Sequence, residues 1–172
     1  MVAQHRRQVV KVSRTLHRLP LDGAQVTTAY LGVDPGATGA IALYGDDCLD
    51  VVDYGPGAVQ FIRDAVAAYS VNLCAIELVG AMPGQGVVSM FNFGKNFGWW
   101  LGIMDAIGIP YILVRPQKWC KDCQVPPKKD KADKPGLEVA RRMFPMVELG
   151  RKKDHGRADA LLLAWWASRQ GV

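Results

Sequence analysis

The stretch Tyr30-Leu-Gly-Val-Asp34-Pro-Gly36-Ala-Thr38-Gly39-Ala-Ile-Ala-Leu-Tyr44 constrains the fold more than any other part of the chain. Leu31 and Val33, then Ile41 and Leu43, recur at period 2, the pattern of a half-buried hairpin. Pro35-Gly36 and Gly39 supply the turn between the two strands. The first strand ends in a carboxylate. An acid at the end of a core strand is costly unless a cation neutralises it, and Asp also serves as an ordinary turn residue that bonds its own backbone. Both readings of Asp34 stand until the rest of the chain is considered.

Downstream, Cys48–Tyr54 reads as a third strand, broken by Gly55-Pro56-Gly57. Val59–Tyr69 carries Phe61, Ile62, Ala65, Val66 and Tyr69 at helical spacing. Val71–Val79 is a compact apolar run, a central strand with Glu77 near its end. After a Pro/Gly-rich loop, Val87–Ile107 reads as a long helix with Gly94, Gly98 and Gly102 at every fourth position, a face that admits close packing within the fold or in a homodimer. Ile109–Val114 is a short strand, and Pro116–Asp133 a polar, lysine-rich connection. Leu137–Met143 and Asp154–Arg169 are helices, the last one buried, with Asp154 as its expected cap. The order β-β-β-α-β-α-β-α-α predicts an α/β fold: a mixed five-stranded sheet with helices on both faces.

At 172 residues the chain holds one domain, placed at 29–172 behind a basic extension at 1–28. No apolar run reaches the length of a membrane span, so no membrane partner is expected. The extension lacks the apolar core of a secretory signal and reads as a nucleic-acid-binding arm, a transit segment or a tail. Four cysteines in such a chain fit a reducing compartment. The net charge of +5 is unevenly placed: residues 1–28 carry five Lys/Arg against one acid, 29–114 two against eight, and 115–157 thirteen against six. Basic flanks around an acidic body suit an anionic polymer as partner, though a merely solvated basic face has the same outline.

Asp34 and Glu77 both end core strands, and His155 and Asp159, at i and i+4, share a face at the start of the last helix. Carboxylates with one imidazole and no thiolate suit Mg²⁺ or Mn²⁺. A pair of such ions about 4 Å apart can activate a water and steady the leaving oxygen in phosphodiester hydrolysis. Without a cation these acids would raise one another's pKa. Each also has a plainer use: Glu77 could pair with a base, and Asp159 with Arg157 or Lys153.

Taken in order, Val33-Asp-Pro-Gly36…Gly39, Ile76-Glu77, Met82-Pro-Gly-Gln-Gly86…Ser89-Met-Phe-Asn-Phe-Gly94 and Lys153-Asp-His-Gly-Arg-Ala-Asp-Ala160 resemble RuvC-type Holliday junction resolvases. The likeness is to the phage and bacterial branch, with some to the chloroplast type, and it runs from residue 29 to 169. It implies an RNase H-like fold and a homodimer in a bacterial or phage-infected cytoplasm or nucleoid, or in an organelle. It also implies Mg²⁺-dependent paired nicking of four-way DNA junctions, with two ions per site, leaving 5′-phosphate and 3′-hydroxyl ends. By position Asp34, Glu77 and Asp159 match the family's metal carboxylates. The fourth ligand is usually an Asp three or four residues before the last; Gly156 and His155 stand there, so His155 takes the role and Asp154 is the fallback. A lysine that often follows the Pro-x-x-apolar motif is replaced: Pro116-Gln-Lys-Trp119 leads into Cys120.

Lys118, Lys121, Lys128, Lys129 and Lys131 are then the expected grip on the junction arms. Met90 and Phe91 are candidates to wedge between bases, while Phe93 is assigned to packing. Cys120-Lys-Asp-Cys123 lacks the two further ligands of a zinc site. Three rivals share features of the pattern. The glycine-rich turn resembles the phosphate loop of actin-like ATPases and sugar kinases, which need two such halves and a longer chain. A non-catalytic branched-nucleic-acid module would not need Glu77 and Asp159, and an RNase H-type nuclease would differ only in cutting RNA–DNA hybrids.

Overall fold

A computed structural model of the chain describes residues 9–10, 27–78, 80, 86–130 and 132–171. The strands are β1 (Val9–Val10), β2 (Thr28–Asp34), β3 (Ala40–Gly45), β4 (Leu49–Asp53), β5 (Ser70–Glu77) and β6 (Tyr111–Val114). The helices are α1 (Pro56–Ala68), α2 (Val87–Ile107), α3 (Pro116–Asp122), α4 (Pro135–Met143) and α5 (His155–Ser168). The strands form one sheet in the order β1-β6-β5-β2-β3-β4. β2–β3 and β3–β4 pair antiparallel, and β2–β5 and β5–β6 parallel, so the five long strands make the expected mixed sheet. To its edge the N-terminal extension adds the two-residue β1, antiparallel to β6.

Alternation along the strands assigns the two faces. Leu31, Val33, Ile41, Leu43, Cys74 and Ile76 point to one side and pack with α1 and α2, through Ile62, Trp100 and Met104. Ala40, Ala42, Leu73, Ala75, Ile112 and Val114 point to the other, against α3, α4 and α5. Small side chains in the middle of this second face let α5 lie close. At Gly32 an added Cβ would stand 2.2 Å from both Ala160 O and Ala164 N, so only glycine admits the helix there. α5 is buried nearly all round (Ala158, Ala160, Leu161, Leu162, Leu163, Ala164, Trp166 and Ala167) because it is held between the sheet and α4. Burying each of its leucines contributes about 1.5–3 kcal/mol.

Two local expectations are corrected. The segment after β6 is not all connection: Pro116 opens a two-turn helix, α3, because Trp119 is driven into the core at 2 % exposure. Asp154 does not cap α5 with its side chain. Its carboxylate turns back to Arg151, accepting from the backbone N–H at 2.8 Å and the guanidinium Nε at 2.9 Å, and so closes a 3-10 turn at Lys152–Asp154. Among the described residues no helix is long and apolar enough to cross a membrane.

Candidate active site

The sheet itself juxtaposes the first two acids. β2 and β5 run parallel with Val33 beside Ile76, so the following residues, Asp34 and Glu77, end neighbouring strands at the same edge. Both fall on the α5 face, two positions on from Gly32 and Ala75. α5 starts directly over this edge and delivers His155 and Asp159. Ligand atoms of Asp34, His155 and Asp159 lie within 4.8 Å of one another. Glu77 stands outside that trio, and its Oε1 accepts from the indole Nε1–H of Trp119 at 3.1 Å. The fallback, Asp154, is committed to Arg151 instead.

Close packing sets this geometry. The Asp34 carboxylate takes the Gly36 N–H at 2.9 Å, so the turn and the site use the same acid. Thr38 and His155 share a hydrogen bond of 3.3 Å between Oγ1 and Nε2, which ties the turn to the start of α5. At Gly156, where the resolvase pattern allows an aspartate, a Cβ would meet the Thr38 carbonyl oxygen at 2.0 Å. At Gly136, in the first turn of α4, a Cβ would fall 2.5 Å from Asp159 Oδ1. The missing side chains leave room for the carboxylates.

Electrostatically the site is costly without a cation. Burial raises the Asp34 carboxyl above its usual range, against the pull of the Gly36 N–H. Burial, and next the charge of Asp34, push Glu77 up to about 7. Asp159 is raised well above normal by burial and by both neighbouring acids. His155 is held low by burial and by Lys134 and Lys128, which favours the neutral imidazole a metal requires. Two desolvated carboxylates and a neutral imidazole make a hard O/N donor set that fits Mg²⁺ or Mn²⁺.

The expected DNA-facing residues divide. The positive charge of Lys128 reaches Asp34, Glu77 and Asp159. Lys134, absent from the sequence reading, acts on Asp34 and Asp159 likewise; its position just before Pro135, at the mouth of α4, was the only available signal. Lys118 is paired with Asp122, which also accepts from Trp166 Nε1. Lys121 and Lys129 are exposed, and Lys131 lies outside the described residues. Phe91 is 72 % and Met90 37 % exposed in the first turns of α2, whereas Phe93 stacks on Phe97 with centroids 6.4 Å apart. The Met82–Gln85 segment is outside the described residues. Cys120 and Cys123 are free thiols. Burial, then Asp159 and Glu77, push Cys120 up to about 12, so it stays protonated and carries no charge at neutral pH.

A mixed sheet in this order, flanked by helices, matches the RNase H-like fold of solved RuvC structures. Thermus thermophilus RuvC in complex with a Holliday junction substrate superposes with a TM-score of 0.54 at 17 % identity, over 83 % of this chain and 96 % of that one. A second Thermus thermophilus RuvC structure gives 0.50 at 19 % identity, over 79 % and 90 %. In sequence, the chloroplastic Holliday junction resolvase MOC1 of Chlamydomonas reinhardtii is 34 % identical over 94 residues, 54 % of this chain. The matched part is 10 % of that protein's length. No family model matches the chain.

Proposed function

We propose that the protein is a divalent-metal-dependent endodeoxyribonuclease that resolves four-way DNA junctions by paired nicks, leaving 5′-phosphate and 3′-hydroxyl ends. The observation that carries this reading is the convergence of Asp34, His155 and Asp159 at one sheet edge of a RuvC-like fold. Glu77 stands beside them at the end of the neighbouring strand. Two Mg²⁺ or Mn²⁺ ions held there would supply the Lewis acidity needed to activate water and steady the leaving oxygen. Asp34, His155 and Asp159 would hold one ion, and Glu77 would complete the pair together with the shared acids. Lys128 and Lys134 draw the scissile phosphate toward the acids, offsetting their repulsion of the backbone.

Paired nicking needs two sites, and α2 offers the surface for a second copy. Val87, Phe91, Gly94, Gly98 and Gly102 form one solvent-facing stripe, with Val87 83 % exposed. At none of the three glycines would a Cβ meet a neighbour within 4 Å. Phe91 and Met90, exposed in the first turns of α2, would meet the unstacked bases of the branch point.

Labelled four-way junction, linear duplex and RNA–DNA hybrid, each incubated with Mg²⁺ and either wild type or Asp34→Asn, test the reading. Symmetric nicks confined to the junction, lost in the variant while binding survives, are the expected result. Cleavage of the hybrid alone would reassign the protein to RNase H-type chemistry. Binding without cleavage in Mg²⁺ or Mn²⁺ would leave a structural module.

A further inference from the structure

We propose that Trp119 is a positioning residue for the metal centre: its indole N–H holds one oxygen of Glu77 and thereby aims the other at the cation. The inference rests on the metal-dependent reading above. Trp119 is 2 % exposed, and its Nε1–H donates to Glu77 Oε1 at 3.1 Å. The connection that sets this contact is short and stiff. Glu77 is in register with Val114 on β6, Leu78 N–H bonds Val114 O at 2.7 Å, and α3 begins two residues after Val114. The indole therefore projects from the first turns of a helix anchored to the strand adjoining Glu77, and has little freedom to point elsewhere.

The contact is more than an indole finding any acceptor. Trp100 Nε1 is also buried and has no partner among the described residues, so this fold tolerates an unpaired indole. A neutral donor suits the task. It fixes the carboxylate without competing with the cation for its charge, as outer hydrogen bonds do for metal ligands elsewhere.

The test is Mn²⁺ binding by calorimetry to the full chain as wild type, Trp119→Phe, Glu77→Gln and the double variant. Trp119→Phe is expected to weaken binding about 10-fold, and to add less than about twofold when Glu77→Gln is already present, the signature of two residues acting through one contact. Equal loss in both backgrounds, or none in either, overturns the proposal while leaving the nuclease reading intact. Replacing Trp119 by 3-benzothienylalanine removes the N–H but keeps the ring, so it separates positioning from packing. It should reproduce the loss, and wild-type affinity would overturn the proposal. A wild type that binds no Mn²⁺ would overturn the metal-dependent reading and this inference together.

Discussion

Glu77 carries a measurable consequence of its burial. Its carboxyl is raised from 4.5 to about 7, so between those values the folded chain keeps a proton that the unfolded chain has released. Stability is then fully present below pH 4.5 and falls as pH rises to 7, by about 3 kcal/mol in metal-free protein. Asp34 and Asp159 shift in the same direction and add to the fall. Urea melts at pH 5 and pH 8 in EDTA should show this loss, and millimolar Mg²⁺ should restore stability at pH 8 but not at pH 5. A metal-free chain equally stable at both values would mean the acids are not desolvated together. Gly156 answers to a steric rule instead. Its Cβ position lies 2.0 Å from the Thr38 carbonyl, a backbone atom with nowhere to go. Gly156→Ala should cost about 2–3 kcal/mol, lowering Tm by about 5–10 °C, and Gly156→Asp should fare no better. The usual acidic ligand thus cannot be restored at this position, and His155 faces the site in its place. The i, i+4 spacing of His155 and Asp159 was legible in the sequence. The reason for the glycine was not, because Thr38 is remote in the chain.

Among the elements, α2 separates packing from exposure most cleanly. Its inner stripe, Asn96, Trp100 and Met104, is buried, while its outer stripe of glycines meets nothing in the protomer. Gly98→Leu should therefore stabilise an isolated protomer, by up to about 1 kcal/mol from helix propensity. The same change should break the proposed dimer, since a leucine there fills the face on which a second copy would pack. Sedimentation velocity with thermal melts separates the effects; a dimer that survives Gly98→Leu would move the interface off this helix. α2 was predicted to its observed ends, Val87–Ile107, as a long proline-free run bounded by Gly86 and Gly108 with small residues at every fourth position. α3 was missed. In sequence it is a proline followed by mixed polar residues, and only the burial of Trp119 against the sheet makes those two turns worth forming.

Over the whole molecule, charge and fold divide the labour. The acids gather at one sheet edge, and the field of Lys128 and Lys134 reaches them. Exchanging both lysines for Ala should lower cleavage more than binding, and reduce the slope of log affinity against log salt by about 2; an unchanged slope would place both lysines off the phosphate path. Lys118→Ala, already paired with Asp122, should change the slope least. Legible in the residues alone were the strand-turn-strand core, the order of every element except β1 and α3, the mixed sheet and the acids that end its strands. Those follow from local periodicity and from the cost of burying charge. The folded structure was needed to show how the site residues and their neighbours pair. It drew Asp154 away to Arg151, set Trp119 on Glu77 and brought Lys134 within reach of Asp34 and Asp159. Such pairings depend on distances across strands and helices far apart in the chain, and spacing along the chain does not encode them.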